Sequence, residues 1–394
     1  MTWMRRNLFR TIGDSLLTVV FGSLALYVVW GLAQFIFVTG RWEIIQVNLK
    51  ILLVGRFPEE LLWLVTGSIM ALAFWIAAAA ASSLSTKETR PSLGVRIWHA
   101  LQRFGLLAGT GLLLIALAGD VASVIIGALI LASIVLGQLI GLARRKIVAL
   151  RAISSWVWHL LLAVAPLTMI SATLLQASVD LWEGFLINFY IAIISIVLSF
   201  PLGVLLALGR RSALPIVRLI STSYIELIRG APLFVLLLLA GVALEFFVPS
   251  ALAPDKIFRA VTVFTLFTAA YIAEIVRGGL QSIPRGQTEA GKALGLSTTK
   301  ITSLVTLPQA LRNVIPAQIG QFISLFKDTT LAGVALNVLD RLNVGTAITK
   351  QEDFLGQGLI YEALAFVALL FWVGSYVMSR ESQRIEKRLG VGQR

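Results

Sequence analysis

The residues best suited to chemistry lie in one polar stretch, residues 284–308, between two apolar runs. Its Gly286-x-x-x-x-Gly291-Lys292 matches most of the glycine-rich pattern that holds nucleotide phosphates. The next residue is Ala293, which lacks the hydroxyl that binds magnesium, and no strand precedes the pattern. These departures disfavour a nucleotide-binding loop.

A second reading of the same stretch is a DNA-reading helix-turn-helix, because Ala290, Gly295 and Ser297 mimic its turn. Such a motif needs a small folded domain around it. Here both flanks become apolar within a few residues, so no nucleic-acid partner is predicted.

The local signals in residues 284–308 predict two short helices. Pro284 can open the first helix and Gly295 can close it in the left-handed conformation. Ser297 can cap the second, which we expect to end before Pro308. Apolar residues recur at roughly helical spacing, and an exposed amphipathic helix pair usually needs a partner surface. These residues are Ala290, Leu294, Leu296, Ile301, Leu304 and Val305.

The sequence has few residues that could form disulfides, bind metals or act as catalytic acids and bases. The chain has no cysteine, which excludes disulfides and thiolate zinc sites. Its two histidines, His99 and His159, each follow a tryptophan and are best explained as residues of the membrane interface. No catalytic residue, metal site or cofactor is predicted.

The composition is that of a membrane protein. Of the 394 residues, 58% are hydrophobic and only 13% are charged, and apolar runs near the ~18 residues needed to cross a bilayer recur throughout. The sequence therefore predicts an all-α integral membrane protein with about ten transmembrane helices. The predicted spans are 15–38, 61–82, 106–118, 121–143, 156–175, 185–208, 232–248, 258–276, 315–339 and 359–378.

Most of the 33 lysines and arginines fall in alternate connections, if the N-terminus is placed in the cytoplasm. This bias predicts a multi-pass membrane protein with both termini and residues 284–308 on the cytoplasmic side. The first external loop, with Arg41, Lys50 and Arg56, fits least well. The first apolar run is too long for a cleavable signal.

A family resemblance appears in residues 284–308. The string Glu289-Ala290-Gly291-x-x-x-Gly295-x9-Val305-x-Leu307-Pro308 resembles the cytoplasmic "EAA" signature of ATP-binding-cassette (ABC) importer permeases. Gly291 stands where alanine is usual, and Val305 where isoleucine is usual. The resemblance implies that this loop seats in a groove of a separate ATPase subunit, which carries the ATP chemistry.

Three further strings resemble the branch that imports polar amino acids: Tyr224–Leu233, Ala270–Gly279 and Leu325–Leu331. The likeness covers about residues 182–389 and implies a type I permease core of five spans in 182–394. Residues 1–181 then form an N-terminal extension of about five spans, similar to the larger permease of general L-amino acid importers.

The resemblance also implies a location in the plasma (bacterial inner) membrane. The partners that it implies are an ABC ATPase, a second permease that is identical or different, an extracytoplasmic amino-acid-binding protein, and membrane lipid. A permease for another small polar solute is the first alternative. A secondary transporter is the second, although it often shows inverted repeats and midplane ion ligands, and no repeat is visible.

Ionisable residues inside predicted spans suggest where a zwitterionic substrate passes, because such residues are costly in a membrane. Glu274 and Arg277 lie one helical turn apart, and they could equally form a structural pair. Lys327 could likewise be satisfied by Asp328. Two further polar residues, Tyr271 and Asn337, lie on the same two spans. The full set of candidates is Tyr271, Glu274, Arg277, Lys327, Asp328 and Asn337.

Overall fold

The computed structural model describes residues 2–82, 109–176, 182–248, 254–336 and 345–390. Within these ranges every regular element is a helix, which confirms the all-α prediction. The helices of the first half are α1 Thr2–Asn7, α2 Ile12–Gln34, α3 Glu43–Val54, α4 Leu62–Ser82, α5 Gly109–Ala118, α6 Val121–Lys146, α7 Val148–Ala152 and α8 Ser155–Gln176.

The second half contributes α9 Gly184–Arg210, α10 Pro215–Gly230, α11 Leu233–Leu238, α12 Leu244–Phe247, α13 Lys256–Gln281, α14 Arg285–Ala293, α15 Thr298–Lys300, α16 Leu307–Asp328, α17 Thr330–Leu336 and α18 Ile360–Leu389. Wider π-helical turns extend α2 over Phe35–Thr39, join α11 to α12 over Leu239–Ala243, and join α15 to α16 over Ile301–Thr306.

Six of the described helical segments are each long and apolar enough to cross a membrane. A seventh crossing is possible if α10 and α11, which meet at a bend of 101°, count as one span. The three other predicted spans fall on α5, α8 and α16, which are not among these six helices. Residues 106–108 and 337–339 of two of these spans lie outside the described residues. The multi-span architecture is confirmed. The predicted number of about ten spans is only approximate, since six or seven are found among the described residues.

Helices α4, α6 and α8 pack together in the N-terminal half. The buried residues of α6 are Ser133, Gly137 and Gly141, one turn apart on a single face. A Cβ atom on Gly137 would lie 2.4 Å from the carbonyl oxygen of Phe74, and one on Gly141 would lie 2.5 Å from that of Ala78. Small residues at four-residue spacing thus let the two backbones touch, which is a common way for helices to associate in lipid.

Helix α13 is the centre of the C-terminal half and packs against α9, α10 and α16. Ala269, Ala270 and Ala273 on α13 are fully buried. On α9, Gly203 admits α13 closely, since a Cβ atom there would lie 2.9 Å from the carbonyl oxygen of Ala269. The helix that leads into residues 284–308 is therefore held on several sides.

Helix α3 lies in a region that the sequence suggested was a loop. One face of α3 buries Ile44, Ile45, Leu49 and Leu52 against α9 and α18. The prediction failed here because α3 is shorter than a membrane span and its apolar residues cover one face only.

Hydrogen bonds between three pairs of residues fasten α3 and its flanks to the C-terminal half. The Arg56 Nε atom donates to the buried Glu183 carboxylate at 2.9 Å, and the Arg56 backbone N–H donates to it at 3.1 Å. Hydrogen bonding to Glu183, and its charge, raise the pKa of the Arg56 guanidinium. Gln351 donates to Asn48 at 2.9 Å, and the Arg41 backbone N–H donates to Glu362 at 3.2 Å.

Candidate functional site

Residues 284–308 connect the end of α13 to the start of α16, and we call this side of the molecule the loop end. Helix α14 follows Pro284, as predicted. It ends in a Schellman motif, in which the Leu296 N–H donates to the Gly291 carbonyl at 3.1 Å and the Gly295 N–H donates to the Lys292 carbonyl at 2.9 Å. Gly295 has a φ of 73°, so the predicted left-handed turn is confirmed.

The second half of the segment differs from the prediction. Ser297 caps α15, where its Oγ accepts from the Lys300 N–H at 3.4 Å. The expectation that this helix ends before Pro308 is wrong, because it continues through the π-helical turn into α16. Proline is tolerated because Pro308 stands at the start of α16, and because the wider turn before it relieves the crowding that proline causes in an α-helix.

The surface of this segment is partly apolar and accessible. The side chains of Leu294 and Leu304 are 79% and 69% exposed. Gly291 is buried, and a Cβ atom there would lie 2.8 Å from Cγ1 of Ile301, so glycine fits where alanine is usual in the signature. Of the other predicted coupling residues, Val305 and Leu307 are half-buried, and Glu289, Ala290, Gly295 and Pro308 are exposed.

Close to the loop end, the Glu274 carboxylate is contacted by three arginines. Two of them donate hydrogen bonds to it, and the third forms a longer ion pair. Arg277 donates to Glu274 through Nε at 2.9 Å. Nη1 of Arg210, at the end of α9, donates at 3.2 Å, and Nη1 of Arg229, at the end of α10, lies 3.8 Å away. Arg210 uses its other terminal nitrogen, Nη2, to donate to Glu226 at 2.8 Å. We call these five residues the arginine–glutamate network.

The network includes two of the predicted substrate-path residues, Glu274 and Arg277, and it touches a third. The Arg229 guanidinium carbon lies 5.6 Å from the ring centroid of Tyr271, close enough for a cation–π contact. Sequence reasoning missed Arg210, Arg229 and Glu226. A signal was present, since Glu226-x-x-Arg229-Gly230 repeats the spacing of Glu274-x-x-Arg277-Gly278.

Lys327 and Asp328 are not part of this network. They lie at the far end of α16, about 30 Å along the helix from Leu307, whereas Glu274 lies about 10 Å from the loop end of α13. Lys327 is exposed and Asp328 is half-buried. The helix breaks just after them at Thr329, whose hydroxyl accepts from buried Asn188 at 3.2 Å. The last candidate, Asn337, lies outside the described residues.

An apolar cavity of about 340 Å³ lies between the bent pair α10–α11 and α13. Its lining includes Ile228 on α10, Leu236 on α11 and Phe267 on α13. Within the described ranges, no three histidine, aspartate or glutamate side chains are grouped so that they could hold a metal ion.

Comparison with known proteins gives a family for the C-terminal half. Residues 199–391 match the family described as "binding-protein-dependent transport system inner membrane component". The chain is 44% identical over 210 residues to the glutamate/glutamine/aspartate/asparagine transport system permease protein BztC of Rhodobacter capsulatus, covering 53% of this chain and 48% of that protein.

Two further relatives carry related names. The inner membrane amino-acid ABC transporter permease protein YhdY of Escherichia coli is 42% identical over 211 residues, covering 54% of this chain and 57% of YhdY. The probable glutamine ABC transporter permease protein GlnP of Bacillus subtilis is 34% identical over 208 residues, covering 53% of this chain and 93% of GlnP. The chain thus spans about half the length of BztC and YhdY, and nearly all of GlnP.

Proposed function

This chain belongs to the family of binding-protein-dependent transport system inner membrane components, and we propose that it is the membrane-spanning permease of an ABC importer that carries amino acids into the cell. The observation that carries the proposal is the geometry of residues 284–308. They form a short exposed helix, a left-handed glycine turn and a second helix that continues into a span.

We propose that α14 couples this chain to an ATPase subunit. The exposed leucines on either side of the glycine turn, Leu294 and Leu304, supply apolar area for a protein contact at the membrane surface. Because α14 follows α13 by only a few residues, a push on α14 would act directly on the most deeply packed helix of the C-terminal half. ATP hydrolysis belongs to the partner and not to this chain.

The relatives' names support an amino acid as the substrate, since BztC, YhdY and GlnP are each named as transporters of amino acids. A related polar solute is the alternative. The other proposed partners are a second permease, identical or different, an extracytoplasmic binding protein, and the surrounding lipid.

We propose two parts, residues 1–181 and 182–394, with α3 lying on the surface of the second part. Among the candidate path residues, Lys327 and Asp328 are better placed than Glu274 to meet a substrate, because Glu274 is already surrounded by arginines of this chain. Asn337 and Tyr271 remain candidates on the sequence argument.

The proposal also places the loop end and both termini in the cytoplasm. The chain has no cysteine, so single cysteines can be introduced cleanly. Two exposed leucines make a matched pair: Leu294 at the loop end and Leu355 near the start of α18. Leu294→Cys should react with an impermeant thiol reagent only in inverted vesicles, and Leu355→Cys only in intact spheroplasts. Labelling of both from one side would contradict the orientation.

The function itself is tested by reconstitution. The chain is purified in mild detergent with the ATPase and permease that accompany it, placed in liposomes, and supplied with the binding protein and ATP. We expect ATP-dependent uptake of labelled glutamine or glutamate, with amino acids and not sugars as competitors. Uptake that continues without ATP, or isolation of the chain without any ATPase, would contradict the proposal.

A further inference from the structure

The arginine–glutamate network joins three helices at the point where one of them bends. Arg229 is the next-to-last residue of α10, and Gly230, Ala231 and Pro232 then turn the chain by 101° into α11. Pro232 cannot donate a backbone hydrogen bond, and the Ala231 N–H before it donates to the Ile228 carbonyl at a long 3.4 Å, so the bend has little backbone support of its own. Arg229 fastens it to α13 through Glu274 and Tyr271.

Arg210 occupies a different position in the same network. Its two terminal nitrogens bind carboxylates on two helices, Glu226 on α10 and Glu274 on α13, at 2.8 and 3.2 Å. A planar guanidinium can hold two acceptors in fixed directions, whereas a lysine ammonium acts as one point charge. Arg210 therefore bridges α10 and α13 through two hydrogen bonds whose directions are fixed by one planar group.

We propose that Arg210 and Arg229 are positioning residues that transmit a displacement of α14 to the bend between α10 and α11. The path is short: α14 follows α13 within a few residues, α13 carries Glu274 about 10 Å from its loop end, and the two arginines tie Glu274 to α10. Movement of the bend relative to α13 changes the apolar cavity between them, which is lined from both sides. The effect on transport rests on the proposed function, whereas the contacts that link α9, α10 and α13 lie within this chain alone.

The first measurement needs only the purified chain in lipid nanodiscs. Hydrogen–deuterium exchange is followed in peptides covering residues 224–231. Arg210→Gln should raise exchange there several-fold, and Arg210→Lys should also raise it although it keeps the charge. The matched control is Arg211→Gln, because Arg211 is the exposed next residue and, in the described part of the chain, its side chain has no ion pair.

The second measurement uses the reconstituted transporter and compares ATP hydrolysed with amino acid carried. Loss of the tie should raise the number of ATP molecules consumed per amino acid in Arg210→Lys, with Arg211→Lys unchanged. A purely structural role would lower both rates in proportion and leave that ratio constant, which would overturn the proposal. Unchanged exchange at residues 224–231 in Arg210→Gln would also overturn it. If the wild-type chain shows no ATP-dependent uptake, the proposed function fails. The exchange measurement still shows whether Arg210 holds residues 224–231 in place.

Discussion

The α4–α6 interface and the α9–α13 interface both pack closely through glycines, but the second also contains charged residues. In both, glycines admit a neighbouring backbone carbonyl: Gly137 meets Phe74 in the first, and Gly203 meets Ala269 in the second. The buried face of α6 carries only Ser133 and two glycines, whereas the second interface ends in the arginine–glutamate network. Close packing alone associates helices in lipid, so the added charges in the second interface call for a separate explanation.

The two halves differ also in where their helices are interrupted. The C-terminal half has the bend after α10, the π-helical turns 239–243 and 301–306, and the break at Thr329. In a membrane the backbone groups freed by such interruptions must find partners. Buried Arg259 supplies some of them by donating to the carbonyls of Pro254 at 2.7 Å and Gly241 at 3.1 Å. The N-terminal half has a π-helical turn of its own, Phe35–Thr39, at the end of α2. The contrast is therefore between the α4–α6–α8 bundle, which we call the uniform bundle, and a C-terminal core whose helices are interrupted at several points, which we call joints.

The largest effect should come from overpacking the uniform bundle. Gly137→Val would place a Cβ atom 2.4 Å from a backbone carbonyl, so α4 and α6 must separate. We expect destabilisation of about 2–3 kcal/mol, as for other overpacked interiors, measured by thermal unfolding in mild detergent. Gly22→Val is the control, because that glycine in α2 has no neighbour within 4 Å. Equal melting of the two variants would show that the α4–α6 contact is not specific.

A smaller effect is expected where α3 joins the core. Glu183→Ala removes a buried acceptor and leaves the Arg56 backbone N–H without its partner, which should cost about 1–2 kcal/mol. Glu59→Ala breaks an exposed pair with Lys50, which solvent screens, and should shift the melting temperature much less. If Glu183→Ala melts no earlier than Glu59→Ala, α3 is not anchored by this contact and belongs with the extension alone.

Sequence reasoning reached the elements with strong local signals. Apolar length located the long spans, and proline, glycine and serine located α14, its left-handed end at Gly295 and the cap at Ser297. It failed where tertiary contacts decide. Pro308 suggested a helix end that the preceding π turn makes unnecessary, and α3 is too short to stand out from a loop. The network partners Arg210 and Arg229 come from separate helices, so only the fold brings them to Glu274.

The joints themselves can be tested with two glycines in the same conformation. Gly295 and Gly356 have φ values of 73° and 76°, and neither has a neighbouring atom within 4 Å of a built Cβ. Substitution of either by valine should strain the turn by about 1–2 kcal/mol. We expect Gly295→Val to lower ATP-dependent uptake at unchanged membrane abundance, and Gly356→Val to leave uptake near the wild-type level. An equal loss in both would remove the case for a coupling role at Gly295.

The smallest expected effect separates a residue that meets substrate from one that holds the fold. Lys327 is exposed at the end of α16 far from the loop end, so Lys327→Met should change which amino acids compete for uptake. Loss of a cation should weaken competition by acidic amino acids by up to about fivefold relative to neutral ones, as expected for an exposed ionic contact worth about 0.2–1 kcal/mol.

Glu274→Gln is the counterpart, because its carboxylate is already engaged by three arginines. It should lower uptake of all substrates by the same factor and leave the order of competitors unchanged. The measurement is inhibition of labelled glutamine uptake by unlabelled glutamate, aspartate and asparagine at matched membrane abundance. If Glu274→Gln reorders these competitors while Lys327→Met does not, the substrate passes the arginine–glutamate network, and the network senses substrate instead of serving only as a joint.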